Sequence, residues 1–463
     1  MKKIKTAIIP TRATFAKVRA PHELHKEAIC VFAATGFFLN TDTYFKDQMV
    51  LPPGSLCSID EDGFFLESTP WFQWHNSPRA ISFEAAVEEF SQLFETIVAE
   101  QIGEQKVILP LSGGLDSRTQ AVAMHHLQRE VQSYSYDFKG GYAETSIGKK
   151  IAKACDFNFN EYHVGAGYLW EVIEELAEIN QCYSEFTHPR QMAIFNEYAG
   201  MGDVFSLGHW GDVLFDGSGN TKISEEEQLQ YLLKKIIKKG GMELANTLWL
   251  AWELPGSFSH YLSDRVQRLL AAIPIKHTGA KIRAFKSLYW APRWTATNLA
   301  VFEEKKPITL PYFDNRMCEF ICTIPEEYLA DRKLQIAYIK QRNAQLAKIT
   351  WEENKPFNLY TFPKNRSPYN IPYRILNKVK RETRALFGNP YIQRNWELQF
   401  LGASNDEKLK EYLFNEHLES LVSQETIRSF YKKFTTQDAV YYSHPVSMLL
   451  TLSLKMKQLA RES

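Results

Sequence analysis

Cysteine is scarce, with six among 463 residues. Scattered over a chain of this length, they are no disulfide framework. Neither sign of charge is in excess, because 54 Lys and Arg balance 54 Asp and Glu. That argues against a surface built mainly to hold nucleic acid or anionic lipid, while leaving room for local patches. No apolar run approaches the roughly 20 residues of a membrane-spanning helix. The opening MKKIKTAIIPTRATF has basic residues but lacks the long apolar stretch of a signal peptide. Internal repeats and low-complexity tracts are absent. These absences lead to the expectation of a reduced, cytoplasmic protein with no nucleic-acid and no membrane partner.

What is present is a globular balance: 44% hydrophobic, 23% charged and 13% aromatic residues. At roughly 100–200 residues per domain, the length predicts two to four domains. The first 80 or so residues read as short strands. AICVFAATGFFLN is apolar and rich in strand formers, and Leu51-Pro52-Pro53-Gly54-Ser55 is a turn. Leu56-Cys57-Ser58-Ile59 and Gly63-Phe64-Phe65-Leu66 flank an acidic turn, as in a hairpin. From Ser82 the period changes to helical, with Phe83, Ala86, Val87, Phe90, Leu93, Phe94 and Ile97 on one face. Ser82 is its candidate cap.

A strand–helix alternation follows. Strands are expected at 107–111, 132–136, 161–164 and 203–207, with helices at 117–127, 144–155 and 169–179 between them. Strands separated by helices of 10–15 residues signal a parallel, doubly wound α/β sheet. Beyond about residue 222 the chain reads as mostly helical. The predicted division is a small β-rich unit at 1–95 and an α/β unit with helical extensions at 96–463.

The most informative string is Leu111-Ser112-Gly113-Gly114-Leu115-Asp116-Ser117-Arg118, after a buried strand and at the start of a helix. Two glycines let backbone N–H groups wrap an anion, and the helix N-terminus adds positive potential. Ser112 and Ser117 supply hydroxyls, and Asp116 sets a carboxylate where it could hold Mg²⁺ against phosphate oxygens. No Gly-Lys-Ser/Thr closes the loop, so it is not a Walker loop.

SGGLDS resembles the pyrophosphate loop of the asparagine-synthetase-like ATP pyrophosphatases, which adenylate a carboxylate and pass it to an amine. A second family motif has a weaker counterpart in Leu207-Gly208-His209-Trp210-Gly211-Asp212-Val213-Leu214-Phe215-Asp216-Gly217, where His209 replaces the family's glutamate and Leu207 its first serine. Leu310-Pro311-Tyr312-Phe313-Asp314-Asn315-Arg316 is similar to a third motif, and Lys355 stands near the family's catalytic lysine. The resemblance extends from about residue 30 to the closing segment at 444–455.

The resemblance implies an adenine-nucleotide α-hydrolase type of sheet, ATP and magnesium as cofactors, and an AMP-forming amide ligase. Its implied nucleotide-binding residues are Ser112, Gly113, Gly114, Asp116, Ser117, Tyr136 and Gly208, with Asp116 and Asp212 on the metal. Lys355 would neutralise the α-phosphate, and Arg190 is a further phosphate candidate. His209 either accepts the proton of the attacking amine, titrating near neutrality, or fills space beside the adenine. Both readings stay open. The acyl partner is a small-molecule or peptide carboxylate and the nitrogen comes from ammonia or a substrate amine; a homodimer is compatible with all of this. A peptide or secondary-metabolite cyclase of macrolactam or β-lactam type and a degenerate nucleotide-binding protein are the competing readings.

Glutamine-using relatives carry an N-terminal cysteine nucleophile. Here position 2 is Lys2, Cys30 and Cys57 are internal, and the first unit is about half the family's length. It reads as a truncated glutaminase-like domain that has lost its nucleophile. Cys318 and Cys322, one helical turn apart, read as buried thiols, and His125-His126 cannot both ligate from one face. The basic stretch at 378–384 reads as a solvated helix face.

Overall fold

The computed structural model describes residues 1–215, 223–388 and 390–462, apart from the side chain of Glu462. Asp216 and Gly217, at the end of the second motif, lie outside the described residues.

Among the described residues, ten strands form three sheets. The N-terminal segment contributes β1 (Lys2–Lys5), β2 (Phe15–Lys17), β3 (Gln48–Val50), β4 (Ser55–Ile59) and β5 (Phe65–Pro70). β1, β4 and β5 make an antiparallel sheet, and β2 pairs with β3. The hairpin expected around Asp60–Asp62 is therefore present as β4 and β5. The rest of the apolar N-terminal text differs from expectation. AICVFAATGFFLN is not a strand but mostly helix α1 (Lys26–Thr35), closed by Gly36 in the left-handed region at φ 81°. Its residues from Ala28 to Thr35 are all buried. A helix buried on every side has no polar stripe, so periodicity cannot separate it from a buried strand. It packs so closely on helix Gly241–Ala251 that a Cβ on Gly241 would lie 2.4 Å from the Ala34 carbonyl oxygen. Phe32 and Phe38 share one core with Leu248 and Leu449 from the far end of the chain.

α2 (Phe83–Ile102) begins where the sequence places it, with the Ser82 side chain accepting from the Ala85 N–H at 3.2 Å. After it come β6 (Val107–Pro110), α3 (Leu115–His126), β7 (Val131–Phe138), α4 (Thr145–Ala154), β8 (Asn158–Val164), α5 (Tyr168–Asn180), β9 (Val204–Ser206) and β10 (Ile308–Thr309). The last five strands form a parallel sheet ordered β10-β9-β6-β7-β8. Its centre is fully apolar: Val107, Ile108 and Leu109 are completely buried. The chain runs outward from β6 through β7 to β8, then returns to the other side of β6 as β9. That reversal is a topological switch point, the place where open α/β sheets bind ligands beyond the strand ends. The loops after β6 and β9 therefore meet there. Beyond β9 the elements of the described residues are helices apart from β10, and no described helix is long and apolar enough to cross a membrane.

Candidate active site

The loop after β6 is held by its own serines. The Ser112 N–H donates to Ser117 Oγ at 3.1 Å, the Gly114 N–H donates to Ser112 Oγ at 3.2 Å, and the two hydroxyls lie 3.0 Å apart. Gly114 is the N-cap of α3, so no side chain caps that helix and its first N–H groups face the loop. A Cβ on Gly113 would lie 2.6 Å from Cβ of Glu352. On the other side, the loop after β9 presses in. A Cβ on Gly208 would be 3.1 Å from Asp116 Cβ, and one on Gly211 would be 2.2 Å from Asp116 Oδ1. Only glycine lets these backbones approach.

A cavity of about 740 Å³ opens over this junction. That is on the scale of a ligand pocket. It is lined by Ser112, Gly113, Asp116, Ser117, Tyr136, Arg190, Gly208, His209 and Asp212, so nine of the eleven sequence-derived site residues share it. Gly114 caps the adjoining helix. Lys355 is the exception. It does not line the cavity but sits half-buried behind Glu352, with its Nζ 3.4 Å from Glu352 Oε1. Glu352 itself does line the cavity, and its N–H donates to the Gly113 carbonyl at 3.1 Å.

Asp116 lies in the first turn of α3 and Asp212 in the short helix Gly211–Leu214. Burial pushes the Asp116 carboxyl up to about 6, the Arg332 guanidinium opposes this, and the Asp212 charge reinforces it. Arg332 is ion-paired to Asp116 Oδ1, and Gln335 Nε2 donates to the same oxygen at 3.0 Å. Both donors take Oδ1, which leaves Oδ2 as the oxygen to turn toward a cation. Among the described residues no group of three or more His, Cys, Asp or Glu converges as a metal site. Two carboxylates nevertheless suit Mg²⁺, which typically takes one or two from the protein and completes its octahedron with phosphate oxygens and water.

His209 is half-buried against Phe302, with ring centroids 6.2 Å apart. Burial pushes its pKa down to about 4, so the imidazole is neutral at physiological pH. The group expected to titrate near neutrality is thus Asp116 rather than His209. The His209 Nδ1 is buried without a hydrogen-bond partner, and it shares this with the Thr295 hydroxyl and the Trp290 N–H, from two other residues lining the cavity. These two come from a π-helical stretch, Lys286–Thr295, whose Lys286, Trp290 and Trp294 also face the cavity. Arg190 lies 5.9 Å from the Tyr136 ring and 5.6 Å from that of Phe138, along the wall made by β7. Glu144 lines the same side. Burial and the nearby Glu352 raise its carboxyl, against the charges of Arg190 and Lys355.

Of the third motif, Tyr312 reaches the Asp116 network, its hydroxyl accepting from Gln335 Nε2 at 3.0 Å. Asp314 caps helix Asn315–Thr323 and pairs with Arg316 at 2.9 Å, outside the cavity lining. Cys318 and Cys322 are buried, as the sequence suggests. Sequence reasoning missed Arg118, Arg332, Gln335, Glu144 and Glu352. Arg118 carried a usable signal, being a charge on the buried stripe of α3; the others come from distant segments with no motif of their own.

Residues 89–275 match the family model described as Asparagine synthase. The matched span carries β6 to β9 and both loops that meet at the switch point. No curated protein matches the chain.

Proposed function

We propose that this chain, whose segment 89–275 belongs to the asparagine-synthetase-like family of ATP-dependent amide-forming ligases, activates a carboxylate as its acyl-adenylate. The acyl group then passes to ammonia or a substrate amine, with AMP and pyrophosphate as the other products. The observation that carries this reading is the pairing of an uncapped helix N-terminus with two carboxylates, Asp116 and Asp212, across one cavity. A loop of this kind accepts a polyphosphate. Carboxylates beside it repel that polyphosphate unless a divalent cation lies between. Bound there by Asp116 and Asp212, Mg²⁺ would neutralise phosphate charge and fix the direction of departure of pyrophosphate.

The chain's own groups supply the rest. The N–H groups of 112–117 hold the pyrophosphate oxygens. Lys355 exchanges its partner Glu352 for the α-phosphate, bringing a fixed cation to charge that grows in the transition state. Arg190 adds a second cation from the Tyr136 side. The orphaned Nδ1 of neutral His209 accepts a hydrogen bond from the attacking nitrogen and orients its lone pair toward the acyl carbon.

Glutamine is not the nitrogen source in this reading. Cys30 and Cys57 are buried, and burial raises both thiols away from the reactive thiolate. Residues 1–95 are then a glutaminase-like remnant, which the sheet β1-β4-β5 supports, and 96–463 the synthetase unit. Pure protein incubated with glutamine should release no glutamate; steady release would contradict the assignment.

The adenylation step is tested by exchange of labelled pyrophosphate into ATP. Exchange should appear only with the acyl substrate present and vanish in Asp116→Asn. A chain that binds ATP tightly yet exchanges with no amino-acid or peptide carboxylate would instead be a nucleotide-binding protein without turnover.

A further inference from the structure

Helix Ile371–Leu386 buries none of its sixteen residues. Only Tyr373 and Arg384 are half-buried; the rest are exposed. At 3.6 residues per turn, Ile371, Ile375, Val379 and Leu386 fall within about 80° of arc, and Leu376 and Phe387 widen that face to about 160°. Leu386 and Phe387 are 86% and 82% exposed. Arg374, Lys378, Lys380, Arg381 and Arg384 fill the remaining arc. Against these five cations stands one acid, Glu382, which falls inside the apolar arc about 20° from Ile371 and pairs with Lys378 at its edge at 3.8 Å. In a chain whose charges otherwise cancel, this is the local patch that composition left room for.

We propose that Ile371–Leu386 is a docking arm for an anionic lipid surface, lying in the plane of the interface with its aliphatic face in the acyl boundary and its Lys/Arg face among the headgroups. A wide aliphatic face with Lys and Arg opposite is the pattern of an interfacial helix. Lys378 and Lys380 stand at the two edges of the apolar arc, where long stems reach headgroups while covering apolar surface. A protein groove would need acids matched to five separate cations, whereas an anionic bilayer offers the complementary sign everywhere.

Both ends of the arm are tied to the cavity rim. Asn370 donates to Asn365 at 3.2 Å, and Asn365 to Asn354 at 3.0 Å in the loop that carries Glu352. Beyond the helix, the Ile392 N–H donates to the Gly140 carbonyl at 3.2 Å, and Tyr391 stacks on Tyr142 at 4.3 Å, two residues before Glu144. Docking therefore brings the cavity mouth to the lipid surface.

The test is co-sedimentation of the full chain with vesicles of phosphatidylglycerol and phosphatidylcholine in equal parts, against phosphatidylcholine alone. The chain should partition onto the anionic vesicles at least about tenfold more strongly, with the preference shrinking in high salt. Ile375→Glu/Val379→Glu should lower that partition by about tenfold or more while keeping the wild-type circular dichroism and ATP binding. Lys380→Glu/Arg381→Glu should remove the preference for anionic lipid. No sedimentation at low salt, or wild-type binding to the anionic vesicles by both double variants, overturns the proposal. So does a dimer that ignores vesicles and dissociates on Ile375→Glu/Val379→Glu, which would make the face a self-interface.

Discussion

Arg118 donates through Nη2 to the carbonyl of Thr350 at 2.7 Å, from a position with no exposed surface. The same nitrogen donates to the Gly113 carbonyl at 3.2 Å, and Nη1 reaches the Ile349 and Leu346 carbonyls at 3.0 and 3.4 Å. One guanidinium thus joins the phosphate loop to the segment that delivers Glu352 and Lys355. Burial lowers its pKa only to about 10, so it stays charged.

Arg118 should therefore be a positioning residue. Arg118→Met leaves four carbonyls short of a charged donor and should cost about 3 kcal/mol or more in urea denaturation. Arg118→Lys keeps the charge without the fork. It should fold, yet lower pyrophosphate exchange by about 10²-fold, because a misplaced Lys355 is no longer aligned. Unchanged exchange in the lysine variant would show that the clamp serves stability alone.

Asp116 has a folded-state pKa raised from 3.8 to about 6. A carboxyl shifted upward binds its proton more tightly in the folded protein. Its favourable contribution is full below the unfolded value and is lost as pH rises through about 6. Asp116→Asn should thus stabilise the ligand-free chain by up to about 3 kcal/mol near pH 8 and have little effect near pH 4. The same variant should lose magnesium-dependent nucleotide binding, and in wild type that binding should weaken as pH falls through about 6. Paired denaturation and nucleotide titrations check both halves.

Lys355 and His209 should separate by step. Lys355→Ala removes the cation that meets the α-phosphate and should reduce pyrophosphate exchange by about 10²–10³. His209→Ala should leave exchange intact and reduce amide formation by about 10²-fold, through lost orientation of the attacking nitrogen. The acidic limb due to His209 should lie near pH 4, where its burial puts it, and not near neutrality. Equal loss of exchange in both variants would make His209 part of the nucleotide pocket.

Gly211 reports on the contact between the two loops. Its added Cβ would meet Asp116 Oδ1 at 2.2 Å and the Tyr312 ring at 3.0 Å. Gly211→Ala should cost about 1–3 kcal/mol through overpacking. It should also weaken nucleotide binding, whereas Gly256→Ala, with nothing within 4 Å of its Cβ, should spare binding despite its left-handed backbone at φ 71°.

The central sheet was legible because β6 to β9 alternate with helices, of which α4 and α5 are amphipathic, and the SGGLDS string fell on a strand–turn–helix junction. α1 was not legible, since complete burial erased its period. β10 escaped because a two-residue strand carries no pattern, although it completes the sheet beside β9. Lys355 does not line the cavity, and the residue of its loop that does is Glu352. Arg332 and Gln335 could not be read at all, because their helical segment reaches Asp116 across more than two hundred residues of chain.

The claim that matters most is that a carboxylate oxygen attacks the α-phosphate of ATP. The direct measurement supplies the acyl substrate with both carboxylate oxygens labelled as ¹⁸O, together with ATP, magnesium and the amine, and finds the label by mass spectrometry. One ¹⁸O in AMP, with pyrophosphate formed in equal amount, is the result this account expects. ADP with ¹⁸O in inorganic phosphate would mean attack at the γ-phosphate and would contradict it.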